Sequence, residues 1–253
     1  ISCFWEGQEG SFLLWLFWNS IIGMILIRVS GKWERSTMAV VAFAQIALSS
    51  MLVGFHLGDF KIGSSPFTQL MRENDKYGKE AFFLNPHYLH VLDGNGLNPL
   101  LQNYWMTIHP PMLFLGFAST LIPFAFAIAG LWTKKLNEWM TPALPWIFFG
   151  VAALGTGILM GGAWAYESLT FGGFWAWDPV ENASLVPWLT LVAGLHTNMI
   201  AKSTGYSLRP TYFFYIVSFL LILYSTFLTR SGILGDTSVH AFTDLGMNTQ
   251  LLV

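Results

Sequence analysis

Apolar residues gather in six long runs along this chain, with the polar residues collected between them. The runs are Phe12–Ile27, Met38–Leu57, Met112–Trp132, Leu144–Gly162, Leu185–Ala201 and Thr211–Leu228. Crossing roughly 30 Å of hydrocarbon takes about 20 residues of helix, which satisfies its own backbone hydrogen bonds. The pattern therefore predicts an all-α integral membrane protein, a polytopic bundle of about six transmembrane helices. The first run has its basic residues after it (Arg28, Lys32, Arg35) and no small-residue cleavage site, so it reads as a membrane helix and not a signal peptide.

Lys and Arg in short loops set the orientation. Arg28, Lys32, Arg35, Lys134, Lys135, Lys202 and Arg209 lie after runs one, three and five, whereas the short opposite loops hold only Arg230. The long 58–109 segment, the 163–184 segment and the tail after 229 are thus predicted to face outward. The domain expectation is two transmembrane helices in 1–57, a long outer loop in 58–109 with one short helix near Phe67–Arg72, and a core of four transmembrane helices in 110–253. The chain opens at Ile1 and stops at Leu252-Val253, which suggests a segment of a longer protein.

Composition agrees: 54% of the 253 residues are hydrophobic and 10% charged, against about 25% charged in soluble domains. A formal charge of -2 offers no basic surface for a nucleic-acid backbone, so nucleic-acid binding is excluded and membrane lipid is the expected surrounding. A single Cys3 leaves no disulfide framework, CxxC pair or thiolate metal site. Metal chemistry would fall to the six His.

The most unusual stretch runs from Trp164 to Trp188, where Trp164, Trp175, Trp177 and Trp188 join Tyr166, Phe171 and Phe174 without any Lys or Arg. An interfacial belt accounts for scattered Trp. A cluster with a Gly172-Gly173 turn fits better a surface that stacks on a large flat apolar ligand. Asp178 and Glu181 carry two readings, as catalytic acids or as a helix start. In the second, Asp178 is the N-cap, Pro179 is N1 and Glu181 closes a capping box. His109 precedes Pro110-Pro111 and is expected in an extended conformation at the mouth of the third span. His240 lies in the outer tail. Each His could be an ordinary polar loop residue; together, on the side of the aromatic loop, they suggest axial ligation of haem iron more than zinc.

His196 falls within an apolar run, about 26 Å along the helix from Pro179. It is either a neutral His bonded to a neighbouring helix or an iron ligand inside the bundle. His56 reads as an interface residue, and His87 and His90 as loop residues. Arg230, at the outer mouth of span six, either pairs with a ligand carboxylate or snorkels.

These residues carry a resemblance. Trp175-Ala176-Trp177-Asp178-Pro179-Val180-Glu181-Asn182-Ala183-Ser184 resembles the WWD signature of haem-handling membrane proteins, and its Asp-Pro-Val-Glu-Asn-Ala-Ser version looks like the CcmF type of cytochrome c maturation protein. Gly96-Leu97-Asn98-Pro99, Ile108-His109-Pro110-Pro111-Met112, Thr229-Arg230-Ser231-Gly232 and Ser238-Val239-His240 add to it. Phe174 and Ala176 stand where the family often has Trp or another aromatic. The resemblance implies an outer-face WWD platform on which haem from the chaperone CcmE is held between two His, corresponding to His109 and His240. It also implies a permanent haem b within the membrane, with His196 as one ligand and the other in a C-terminal part that this chain lacks. The candidate haem contacts are then His109, His240, His196, Trp164, Phe174, Trp175, Trp177, Asp178, Asn182, Trp188 and Arg230.

The implied activity is the haem lyase step, attaching haem vinyl groups to the CxxCH thiols of apocytochrome c with a CcmH-type partner. The implied location is the periplasmic face of the bacterial inner membrane. Two competing readings are haem transport across the membrane and electron transfer from a membrane b-haem to the outer haem. A scaffold that binds no haem is the residual case.

Overall fold

The computed structural model describes residues 3–57, 60–67, 99–168, 173–231 and 233–234. His87, His90, Gly172, His240, most of the long loop and the last part of the tail lie outside the described residues, as does the expected helix near Phe67–Arg72 beyond its first residue. The described chain is a helical bundle. A short α1 (Cys3–Glu6) leads into α2 (Gln8–Val29), then α3 (Glu34–Ser50), α4 (Trp105–Trp132), α5 (Met140–Ser168), α6 (Pro179–Thr204) and α7 (Leu208–Arg230). Five of these, α2 and α4 to α7, are long and apolar enough to cross a membrane.

Five of the six apolar runs lie wholly inside helices, four of which extend past them at both ends, while α4 ends with its run at Trp132. The second run does not. Its helix, α3, stops at Ser50, and the apolar residues that follow turn into a small antiparallel hairpin of β1 (Phe55–Leu57) and β2 (Phe60–Ile62). Gly54, at φ 61, sits in the left-handed region between α3 and β1 and redirects the chain. Hydropathy alone cannot separate these segments, because both are apolar.

Helix α4 is the hub. Its most apolar stretch is 72% buried, against 28% for α6, and it packs on α2, α3, α5 and α7. One contiguous buried cluster runs through the bundle, with Trp15 of α2, Phe126 of α4, Ile147 of α5, Leu191 of α6 and Tyr215 of α7. Consecutive helices alternate in direction, so the chain turns at two ends. At one end, Lys32 pairs with Glu138 across two turns, and Tyr212 Oη donates to the Leu136 carbonyl at 3.0 Å. The Lys32 hydrogen bond and charge hold the Glu138 carboxyl below its ordinary range. Arg28, Lys134, Lys202 and Arg209 occupy helix ends on this same side, which matches the asymmetry read from the sequence. The opposite end holds the candidate site.

Candidate functional site

The starts of α2, α4 and α6 and the ends of α5 and α7 converge at the end of the bundle opposite the lysines. Between them lies a cavity of about 460 Å³, walled by Trp5, His109, Phe114, Trp164, Trp175, Glu181, Thr226 and Arg230 among others. That volume falls in the range of small-molecule and cofactor sites, about 300–1,000 Å³.

His109 is helical, not extended. It is the fifth residue of α4, and Pro110 and Pro111 continue the helix. The rule that a residue before proline avoids the α region is a local one, and here tertiary contacts override it. Pro110 lacks the N–H that would bond the Met106 carbonyl. That carbonyl accepts instead from the indole Nε1 of Trp5, at 2.8 Å. His109 Nδ1 lies 2.9 Å from the Gly157 carbonyl of α5. A carbonyl only accepts, so Nδ1 is the donor, and in the neutral ring the lone pair is then on Nε2, the tautomer a metal ligand needs.

Two glycines one turn apart on α5 make this approach possible. A Cβ on Gly157 would stand 2.9 Å from Leu113 Cα, and one on Gly161 would stand 2.9 Å from His109 Cε1. Small residues at this spacing let two membrane helices come close. Trp164 follows Gly161 on α5 and meets the His109 ring edge-on, with centroids 5.7 Å apart. Its indole Nε1 is buried with no acceptor among the described residues.

The loop before α6 is held by its own side chains. Asp178 Oδ1 accepts from Val180 N at 2.8 Å, and the capping box with Glu181 is present as read, with Pro179 at N1. Glu181 Oε2 accepts from Ala176 N at 3.0 Å and Asp178 N at 3.1 Å. Asn182 Nδ2 donates to the Trp177 carbonyl at 3.0 Å. These contacts fix Trp177 at φ 57, an outlier for a bulky residue that costs about 1–3 kcal/mol and clusters at functional sites. Trp177 is 69% exposed, and its ring sits edge-on to that of Trp175, 5.9 Å away. Because the strain lies in the Cβ and not the ring, Trp177→Gly should unfold at a higher temperature than Trp177→Ala. The expected gap is about 2–4 °C per kcal/mol for a chain of this size, read by thermal melts in detergent; the reverse order would remove the strain argument.

The expected aromatic platform is divided by the fold. Trp164 and Trp175 wall the cavity. Phe174 and Trp177 are exposed outside it. Trp188 packs between α5 and α6, donating from Nε1 to the Val151 carbonyl at 2.9 Å. Arg230 is buried, 8% exposed, and does not snorkel outward: its Cζ lies 5.2 Å from the Phe12 ring centroid and 5.7 Å from that of Phe114. His196 is remote from the cavity. It is exposed on α6 beside Met199 and Ile200, with Nδ1 donating to the Val192 carbonyl at 2.8 Å.

Several residues at this end had no role in the sequence reading. Trp5 and Ser11 bring the N-terminal segment into the cavity wall. Near the start of α4, Tyr104 Oη (3.0 Å) and Trp105 Nε1 (2.7 Å) both donate to the Glu167 carboxylate at the end of α5. Desolvation, then this hydrogen bond and the negative charge, raise the Tyr104 phenol above its ordinary value, so it remains a donor at neutral pH. Only the aromatic richness of 104–105 hinted at this contact.

The sequence model of the cytochrome C assembly protein family matches residues 5–234. The chain belongs to that family. Within it, CcmF of Pseudomonas aeruginosa is 38% identical over 242 residues, 95% of this chain and 34% of that protein. CcmF of Haemophilus influenzae is 36% identical over 243 residues, covering 96% of this chain and 34% of the relative. CcmF of Escherichia coli is 34% identical over 247 residues, with the same two shares. This cytochrome c assembly chain thus resembles CcmF-type proteins over nearly all its length, and spans about a third of the length of these curated relatives. No solved structure matches it.

Proposed function

We propose that this chain carries the haem-holding face of a cytochrome c maturation protein and serves the haem lyase step. The observation that carries the reading is His109, held by Gly157 in the tautomer with its lone pair on Nε2, in the wall of a cavity flanked by Trp164 and Trp175. The residues fit haem: an imidazole for the iron, aromatic walls for a flat macrocycle, and a buried indole N–H that needs an acceptor. Haem as substrate supplies the vinyl carbons, to which the CxxCH thiols of apocytochrome c add, each S–H hydrogen passing to a vinyl carbon. This chain's residues bind, orient and shield. His109 fixes the iron side, the aromatic walls exclude water, and the capped WWD loop holds its rings at the mouth.

In this reading the second axial ligand is His240, the donor is a CcmE-type chaperone, and a CcmH-type partner presents the apocytochrome. The site faces the periplasm from a bacterial inner membrane, in keeping with lysines at the other end. His196 supports an accompanying electron-transfer role. A proton-bearing Nδ1 tied to Val192 within an exposed apolar face suits a ligand for a membrane haem b shared with a helix outside this chain.

The test is a pyridine haemochrome spectrum of the purified full-length protein and its His109→Ala and His196→Ala variants. The native protein is expected to carry b-type haem, with each variant losing a separate fraction. A native protein free of haem after expression with excess haem would overturn the proposal.

A further inference from the structure

The end of the bundle opposite the cavity carries a charge imbalance that the haem reading does not use. Its turns, 28–35, 133–139 and 202–209, hold seven Lys and Arg against two carboxylates, Glu34 and Glu138. Packing brings two of these turns together. Tyr212, near the start of α7, donates to the Leu136 carbonyl at 3.0 Å and rests against Trp139, with ring centroids 4.9 Å apart. Arg209 lies three residues before Tyr212, on the same face of α7. Lys134 and Lys135 immediately precede Leu136, so three cations flank one junction.

Little of this charge is cancelled. Glu138 pairs with Lys32 and lies in the field of Lys135. Among the described residues no carboxylate pairs with Lys134 or Arg209, and both are exposed. Lys134 is also held at φ 59, in the left-handed position just past the end of α4 where glycine is the ordinary residue. A lysine there keeps a cation at the cost of backbone strain, and such strain clusters at functional positions. Apolar side chains lie beside the cations: Leu131 is 46% exposed and Trp132 66%. Trp at the end of a membrane helix sits at headgroup level, and cations there attract anionic lipid. Cations next to exposed apolar side chains suit a phosphate that carries acyl chains better than a free one.

We propose that the junction of the α4–α5 turn with the start of α7 binds the headgroup of one anionic phospholipid through Lys134, Lys135 and Arg209, with its acyl chains against Leu131 and Trp132. The inference is independent of the haem reading.

Native mass spectrometry of the full-length protein in neutral detergent, titrated with dioleoylphosphatidylglycerol or dioleoylphosphatidylcholine, tests it. The two lipids share acyl chains and differ in headgroup charge. Native protein is expected to bind one phosphatidylglycerol about tenfold or more tightly than phosphatidylcholine. A cation at an anionic lipid surface is worth about fivefold in affinity. Lys134→Gly and Arg209→Gln should therefore each weaken phosphatidylglycerol by about that factor, and together by about 25-fold, while Lys134→Arg stays near native. Because glycine relieves the left-handed strain, Lys134→Gly should melt no lower than native protein in neutral detergent, which separates loss of the lipid from loss of the fold. Arg28→Gln, in the last turn of α2, which packs on α3 and α4, is the control and should bind as native. Equal native affinity for the two lipids overturns the proposal. An effect of Arg28→Gln as large as that of Arg209→Gln overturns it too, by making the attraction a diffuse property of the basic end. Displacement of phosphatidylglycerol by millimolar inorganic phosphate would replace the lipid site with one for a free anion.

Discussion

Replacing His109 by alanine is expected to abolish formation of c-type cytochromes in cells while the protein still inserts in the membrane at native level. Losing only an outer-shell partner costs a metal site roughly 10–100-fold, and this substitution would remove the proposed ligand itself. The imidazole is also the group around which the site is built. Gly157 fixes its proton, Trp164 meets its edge, and Pro110 next to it frees the Met106 carbonyl that anchors Trp5. Because α4 is buried on several sides, the helix should persist without the ring and leave an imidazole-sized void. Added imidazole is therefore expected to restore part of the haem staining. Undiminished c-haem in the alanine variant would refute the assignment.

The second large effect is expected at Gly161, which has no chemistry of its own. A Cβ there would lie 2.9 Å from His109 Cε1, and the ring cannot withdraw while Nδ1 is bound to Gly157. The two branches of valine make the conflict worse. Gly161→Val should reduce haem retention as severely as loss of the ligand, with a packing cost of about 1–3 kcal/mol and a still folded protein. Gly150→Ala on the same helix, whose added Cβ would find its nearest atom at 3.4 Å, is the matched control and should bind haem normally. Equal haem content in Gly161→Val and native protein would show that the iron does not depend on this position of His109.

Much of this architecture was legible in the chain, for reasons that differ by element. Five apolar runs mark their helices because hydropathy and length are properties of the segment itself. The cap at Asp178 is legible for the same reason, since an N-cap, Pro at N1 and Glu at N3 act within four residues. The helical state of His109 was not, because it depends on Trp5 and Gly157, 104 and 48 residues away. The division of the aromatic cluster was hidden likewise. Whether Trp188 faces a cavity or a neighbouring helix is set by the packing of α5 on α6. Arg230 stood out as a cation on the wrong side of the charge pattern, but the sequence left open whether it turned inward. Glycines 157 and 161 carried a spacing that only a partner helix makes meaningful.

The position of the iron is the most direct test of His109 as the proposed ligand. A cryo-electron microscopy reconstruction of the full-length protein saturated with haem is expected to place a macrocycle in the cavity between Trp164, Trp175 and Arg230, with iron within bonding distance of His109 Nε2. Haem bound with its iron ligated elsewhere and this cavity empty would contradict it.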